Sequence, residues 1–363
     1  MKDAANVSMD QKIHHEMTMK ACVLHKIGDL RYEDVPVPEV APGEVLLKVR
    51  AAGICGSDIP RVFTKGTYHF PTIPGHEFAG EVVKVNDGDE HLLGGRFAVF
   101  PLLPCFRCDA CAAAEYQQCA DYDYYGSRRD GAFAEFLAVK KWNLVPVPDG
   151  VSYEEAAMAE PCAVALHALK RFGVNAGDTV AIFGAGTIGL LAGQAAKAWK
   201  ADNVILFDVD ARKLDFAKRM GFEYAINSAR EDPAAMAKSL TGGAGADLCL
   251  DAAGVSQAVE ASVKSARRSG KVILMGNPAG DIHLSQKGYW EILRGQLTLK
   301  GTWNSSYNNN DNDWTHALDF IKDGMFDLNP LIMHRFSFAE SDEAFRIAAD
   351  PSELSVKVMF INE

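Results

Sequence analysis

The sequence has no run of about 18 consecutive apolar residues, which argues against a membrane-spanning helix. It has no surplus of positive charge: Lys and Arg number 37 against 48 Asp and Glu, a formal net charge of -11. A non-specific nucleic-acid binder carries the opposite balance, so neither nucleic acid nor a membrane is an expected partner. There is no internal repeat, and no low-complexity tract longer than the loop-like Asn308–Asp313. The opening stretch MKDAANVSMDQKIHHEMT has no apolar centre of the kind a secretory leader needs. Residues 1–18 are therefore expected to be an extension outside the core, and the chain to be cytoplasmic. Cysteine is scarce outside one place, since four of the eight crowd into residues 105–119. In a long chain without a leader, such a local cluster reads as metal binding in a reducing compartment rather than as a disulfide framework.

What is present is an ordinary globular balance, 48% hydrophobic and 23% charged over 363 residues, which predicts two domains. From about residue 19 the text is β-rich. Lys20–Leu24, Glu44–Arg50, Glu81–Val85, Arg96–Phe100 and Ala134–Val139 are separated by Gly, Pro and Asp, the pattern of a barrel-like antiparallel unit. Ser152 and Glu155 have capping-box spacing and open alanine-rich helical text that runs to about Arg171. Strands and helices then alternate: Thr179–Phe183, Ile188–Trp199, Val204–Asp208, Ala211–Met220, and the strands Asp247–Asp251 and Lys271–Met275. This alternation predicts an α/β, doubly wound parallel sheet. The last part has a helix near Trp314–Lys322 and a strand near Ser355–Ile361.

Three motifs carry chemistry. Gly184-Ala185-Gly186-Thr187-Ile188-Gly189 follows a strand and opens a helix, the context of a dinucleotide fingerprint. Its glycines allow a tight turn, close approach of a pyrophosphate, and helix–strand packing, while the helix N-terminus offers free N–H groups. Asp208 ends the next strand, where a carboxylate binds ribose hydroxyls and repels a 2′-phosphate, so NAD is favoured over NADP; Lys213 could flank the adenosine. Cys105, Cys108, Cys111 and Cys119 supply four thiolates from one loop, the closed set of a structural zinc, with an iron–sulfur cluster as the alternative. Cys55 with Ser57 and Asp58, His76 with Glu77, and Glu160 together form the mixed thiolate, imidazole and carboxylate set of a catalytic zinc. Taken singly, Cys55 and His76 would each read as core residues.

With these motifs the sequence resembles the zinc-dependent medium-chain dehydrogenases, the superfamily of alcohol, sorbitol and threonine dehydrogenases, over about residues 20–363. The stretches Gly56–Phe63, Pro101–Cys108 and Tyr125–Gly131 resemble the branch that acts on galactitol 1-phosphate. The resemblance implies a GroES-like catalytic domain over 19–165 with a zinc lobe at about 100–122. It implies a Rossmann domain over 166–302, and a return segment, 303–363, completing the first domain. It implies two zinc ions per chain, NAD, and hydride transfer from a secondary alcohol of a polyol or sugar phosphate, with Ser57 passing the proton. The third ligand of the catalytic zinc is Glu77 or Glu160, both positions being used in the family. A relay histidine common in alcohol dehydrogenases is missing, because the stretch after Ser57 and Asp58 reads Ile59-Pro60-Arg61. Arg61, Arg128 and Arg129 are candidates to clamp a substrate phosphate, or else pair with acids such as Asp130 or Glu135, or stay solvated. The resemblance also implies a homodimer or homotetramer. Sorbitol-, threonine- or butanediol-type activity is the nearest alternative, followed by a non-catalytic NAD-binding sensor or a zinc-independent reductase of the same fold.

Overall fold

The computed structural model describes residues 18–362, so the expectation for the N-terminal extension lies almost wholly outside the described residues. Among them, no helix is long and apolar enough to cross a membrane.

Two large sheets organise the chain. The first is built on the strand Glu44–Ile54, whose apolar side chains are buried along almost its whole length. Antiparallel to it lie Glu77–Lys84 and Phe136–Lys140, and Arg96–Val99 and Leu144–Pro146 extend the sheet beyond Glu77–Lys84. The other edge comes from the far end of the chain: Lys357–Ile361 pairs antiparallel with Glu44–Ile54 and parallel with Ile332–Phe336. The sheet is thus not purely antiparallel, contrary to the sequence expectation. The parallel pair arises because Ile332–Phe336 is joined to Lys357–Ile361 through the helix Ser341–Ala349 instead of a hairpin.

The second sheet holds six parallel strands in the spatial order Tyr224–Asn227, Asn203–Asp208, Thr179–Phe183, Ala246–Asp251, Ala266–Leu274, Thr298–Gly301. Strand order reverses between Thr179–Phe183 and Ala246–Asp251, the place where doubly wound sheets open a crevice for ligands. The strand Ala266–Leu274 starts five residues before the expected Lys271, with a register shift near Ala246.

The helix Ala159–Lys170 joins the two sheets. Ten of its residues are buried, and its alanines at 159, 163, 165 and 168 let neighbours approach closely on every side. It shares one apolar core with Ala51, Ala79 and Phe100 of the first sheet region and with Leu190 and Leu206 of the second. The capping box read at Ser152 is present: its hydroxyl accepts from the Glu155 N–H, and the Glu155 carboxylate accepts from the Ser152 N–H.

Candidate active site and metal centres

The glycine fingerprint sits at the end of Thr179–Phe183, and the helix Thr187–Ala198 begins inside it. Gly184 has φ +115, a conformation side chains rarely adopt. A Cβ at Gly189 would lie 1.8 Å from the Gly184 carbonyl oxygen, so this glycine sets the helix against the strand. A Cβ at Gly186 would meet nothing within 4 Å. That open space in front of a helix N-terminus fits a pyrophosphate. Beside it opens a cavity of about 740 Å³, lined by Gly184, Asp208, Val209, Ala253 and Val255 among others. Asp208 accepts from the N–H groups of Ala185 and Asp210, at 2.8 and 2.9 Å, which aims its carboxylate at the crevice rim. Lys213 does not line this cavity.

The four clustered cysteines come together. Sγ–Sγ separations are 3.9 Å for Cys105–Cys111, 3.5 Å for Cys108–Cys111 and 3.9 Å for Cys108–Cys119. A tetrahedron with Zn–S bonds of about 2.3 Å has edges of about 3.8 Å, so the thiols already have the spacing one zinc ion needs. The Cys105 N–H points to the Cys119 sulfur at 3.2 Å. Backbone amides of Ala120 and Cys111 draw the Cys108 thiol down to about 6. Burial and the neighbouring thiols push Cys111 up to about 12. Ionising all four therefore calls for a cation at the centre.

The second cluster unites Cys55, His76 and Glu77, one donor atom of each lying within 4.8 Å of the others. Cys55 follows the end of Glu44–Ile54, and Glu77 opens Glu77–Lys84 directly opposite Gly53. Gly75, at φ +101 and packed on the Phe133 ring, turns the chain so that His76 faces inward. His76 and Glu77 are buried. The Nδ1 atom of His76 is buried without a hydrogen-bond partner, and the nearest carboxylate, that of Asp58, is 3.6 Å away. Asp58 is fully buried; it accepts from the Cys55 N–H at 3.0 Å and is ion-paired with Arg61. A thiol, a buried imidazole and a carboxylate are the donor types of a mixed zinc site, and their convergence fits a zinc ion. Glu160 is buried next to this group but is not one of the three that converge. Burial, and then the charge of Glu77, lift the Glu160 carboxyl to about 7. Cys162 lies in the core, where burial pushes its thiol well up.

Residues 41–149 match the model of the alcohol dehydrogenase GroES-like domain, and residues 187–323 that of the zinc-binding dehydrogenases. The chain is 38% identical over 331 residues to galactitol 1-phosphate 5-dehydrogenase of Escherichia coli (strain K12), covering 90% of this chain and 96% of that protein. It belongs to the zinc-binding dehydrogenases. It is 34% identical to sorbitol dehydrogenase of Bacillus subtilis (strain 168), over 94% of this chain and 96% of the relative. The crystal structure of galactitol-1-phosphate dehydrogenase from Escherichia coli superposes with a TM-score of 0.89 at 38% identity, covering 95% of this chain and all of that one. Two solved structures carry nicotinamide cofactors. One is a zinc-binding dehydrogenase of Sinorhizobium meliloti 1021 bound to NADP (29% identity, TM-score 0.86, 95% and 100% covered). The other is an Escherichia coli CFT073 alcohol dehydrogenase with NADH (28%, 0.86, 95% and 99%). The chain is thus a medium-chain, zinc-dependent oxidoreductase of CH–OH donors that uses a nicotinamide cofactor.

The three candidate arginines separate. Arg61 is tied to buried Asp58, and Arg129 lies 3.6 Å from Asp123. The acid-pairing alternative therefore describes these two. Arg128 has no carboxylate partner among the described residues. Its guanidinium lies 4.3 Å from each of the Tyr68 and Tyr122 rings, Nη2 donates to the Tyr68 hydroxyl at 3.3 Å, and Nε is buried without a partner. Aromatic contacts connect this arginine to the metal cluster, since Tyr122 packs against Tyr124 and Tyr124 against His76. Sequence reasoning missed Tyr124, whose buried hydroxyl is raised well above its usual value by burial and by the charges of Glu160 and Cys55. It also missed Lys357, whose Nζ donates to Glu77 Oε2 at 2.5 Å and to the Ile54 carbonyl at 3.2 Å. The available signal was a lone lysine opening the otherwise apolar strand Lys357–Ile361.

Proposed function

We propose that this dehydrogenase interconverts a secondary alcohol of a polyol or polyol phosphate with the corresponding ketose, using NAD. The observation that carries the reading is the convergence of Cys55, His76 and Glu77 within 4.8 Å in a chain that also carries the dinucleotide crevice. When bound, zinc supplies a Lewis acid for the alcohol oxygen, and the nicotinamide takes up the hydride. Cys55, His76 and Glu77 hold the metal, and Glu160 is a second carboxylate beside it. Asp58 orients this set from behind, through the Cys55 N–H and the His76 ring. Ser57, half-buried two residues from Cys55, passes the alcohol proton outward. Cys105, Cys108, Cys111 and Cys119 hold the structural zinc. Gly184, Gly186, Thr187, Ile188 and Gly189 receive the pyrophosphate, and Asp208 the ribose of NAD, with Lys213 at most flanking.

Arg128, the candidate arginine without an acid, is the residue for a substrate phosphate. The identity to galactitol 1-phosphate and sorbitol dehydrogenases supports the polyol class. A homo-oligomer belongs to the same reading; its support is the exposed edge strand Thr298–Gly301 with Tyr289, Trp290, Leu293 and Trp303 at the surface. Free thiols poised for zinc favour a reducing compartment such as the cytoplasm.

The test is an NAD-linked activity screen of zinc-loaded protein across polyols, polyol phosphates, vicinal diols and threonine. The reading expects the highest kcat/KM for a polyol phosphate, with a free polyol next. Preference for threonine or butanediol would replace it.

A further inference from the structure

The helix that receives the cofactor and the carboxylate assigned to the metal are joined by one short segment of chain. At one end, the Thr187 hydroxyl donates to the Val356 carbonyl at 2.5 Å. Thr187 is the first residue of the helix that opens inside the glycine fingerprint. A second thread starts at the ribose acid. Asp208 accepts from the Asp210 N–H, Asp210 pairs with Arg212 at 2.7 Å, and Arg212 donates to the carbonyls of Pro351, at 2.7 Å, and Ser352. Both halves of the dinucleotide site thus grip residues 351–356.

The next residue is Lys357. Its strand lies beside Glu44–Ile54, and Glu77–Lys84 lies on the far side of that same strand. The two side chains meet across Gly53, where a Cβ would stand 2.4 Å from Glu77 Oε2 and 3.4 Å from the Lys357 side chain. The missing side chain at 53 is what lets lysine and glutamate touch. The pair is almost entirely buried, with 3% and 2% of the side chains exposed. Lys357 therefore holds one oxygen of Glu77 in a fixed place, and in the interior such a charge pair has no water to replace it.

We propose that Lys357 is a positioning residue for Glu77, and that the segment 351–357 makes NAD(H) binding and zinc retention at Cys55, His76 and Glu77 mutually reinforcing. The proposal rests on the metal and cofactor assignments above. A dinucleotide seated at Thr187 and Asp208 orders the residues that grip the segment, and the ordered segment fixes the ammonium that aims Glu77. Each ligand then spares the other part of the ordering cost, and the coupling is reciprocal. Contiguity alone does not establish coupling, so the test measures it.

The experiment follows zinc transfer from the purified holoenzyme to a chromophoric chelator, with and without saturating NADH. In the wild type, NADH is expected to slow loss of the faster-released zinc by about five-fold or more, at the low end of usual coupling factors. Thr187→Val, which removes the link to Val356, is expected to reduce that effect to less than two-fold at saturating NADH, and Thr187→Ser to restore it. Simple shielding of the metal by bound NADH would survive Thr187→Val, so an undiminished effect in that variant overturns the coupling. Lys357→Met is expected to release the faster zinc at least ten-fold sooner without NADH, with Lys357→Arg restoring most of the retention. Unchanged release in Lys357→Met overturns the positioning role. A wild-type chain carrying no zinc outside the four-cysteine lobe overturns both this inference and the metal assignment. A chain that holds two zinc ions but shows no NADH effect overturns the coupling alone.

Discussion

Asp58 is the buried acid behind the proposed catalytic cluster. With no exposed surface, it serves Arg61, the Cys55 N–H and the nearby His76 ring together. Removing it leaves the Arg61 guanidinium, itself only 15% exposed, without its counter-charge. Loss of one partner of such a buried pair costs about 3 kcal/mol, and loss of an outer partner typically costs about 10–100-fold in metal affinity. Asp58→Ala is accordingly expected to lower unfolding stability in urea by about that amount and to lose zinc to chelators faster. Full retention of both would remove the supporting role. Arg128 gives a sharper test of substrate. A charge-assisted contact contributes about 1.5–3 kcal/mol, or roughly 10–100-fold. Arg128→Ala is expected to raise KM for a polyol phosphate by about that factor and leave the free polyol nearly unchanged, while Arg129→Ala, already paired with Asp123, does little to either. Equal effects of Arg128→Ala on both substrates would place the phosphate elsewhere. Cys55, His76 and the pair of candidate carboxylates, Glu77 and Glu160, are legible in the sequence because each sits in a short motif, but the choice between the two acids depends on which one converges in space. Lys357 and Tyr124 are not, because their placement depends on a contact across 280 residues in one case and on a tilted ring contact with His76 in the other.

Elements show a similar division. The strand Thr179–Phe183 has the bounds its apolar run predicts, because the turn to Gly184 ends it abruptly. The strand Ile332–Phe336 went unread: it lies at a sheet edge, is only partly buried, and lacks a clean alternation. Between the helices Ser256–Ser265 and Gln286–Gly295 the tie is Glu260. Its carboxylate accepts from the Ser285 hydroxyl and N–H, at 2.7 and 3.1 Å, and pairs with Lys264. Lys264, then Ser285, hold it down to about 2. A carboxylate lowered on folding stabilises above its unfolded value, about 4.3, and this contribution fades as pH falls towards 2. Glu260→Gln is therefore expected to lower Tm near neutral pH, with the gap to wild type closing below about pH 4.3. A gap that stays constant down to pH 3 would show that the charge is not what joins the two helices.

At the scale of the whole molecule, a net charge of -11 does not conflict with the proposed phosphate contacts, because these are local: open space at Gly186 before a helix N-terminus, and Arg128 beside two tyrosines. The two metal centres are local in the same sense but differ in setting. The four cysteines belong to a lobe whose Phe106 is 58% exposed and which has little apolar interior of its own. That lobe is anchored by Phe106 and Tyr116 against Trp142, and its order is expected to depend on a zinc ion held by the four thiolates. The Cys55 centre is carried by two paired strands of the large sheet, whose ladder does not depend on a metal ligand and is expected to survive metal removal. Zinc bound by four thiolates is also released more slowly than zinc bound by a thiolate, an imidazole and a carboxylate with one position open. Dialysis against EDTA is therefore expected to remove zinc in two phases. Dehydrogenase activity should vanish with the first and return on adding zinc, with Tm little changed. The second phase should lower Tm and expose the lobe to protease. Activity and Tm falling together in a single phase would mean that the lobe and the catalytic cluster are not independent, and that the first sheet is not rigid enough to hold Cys55 and Glu77 in place without the metal.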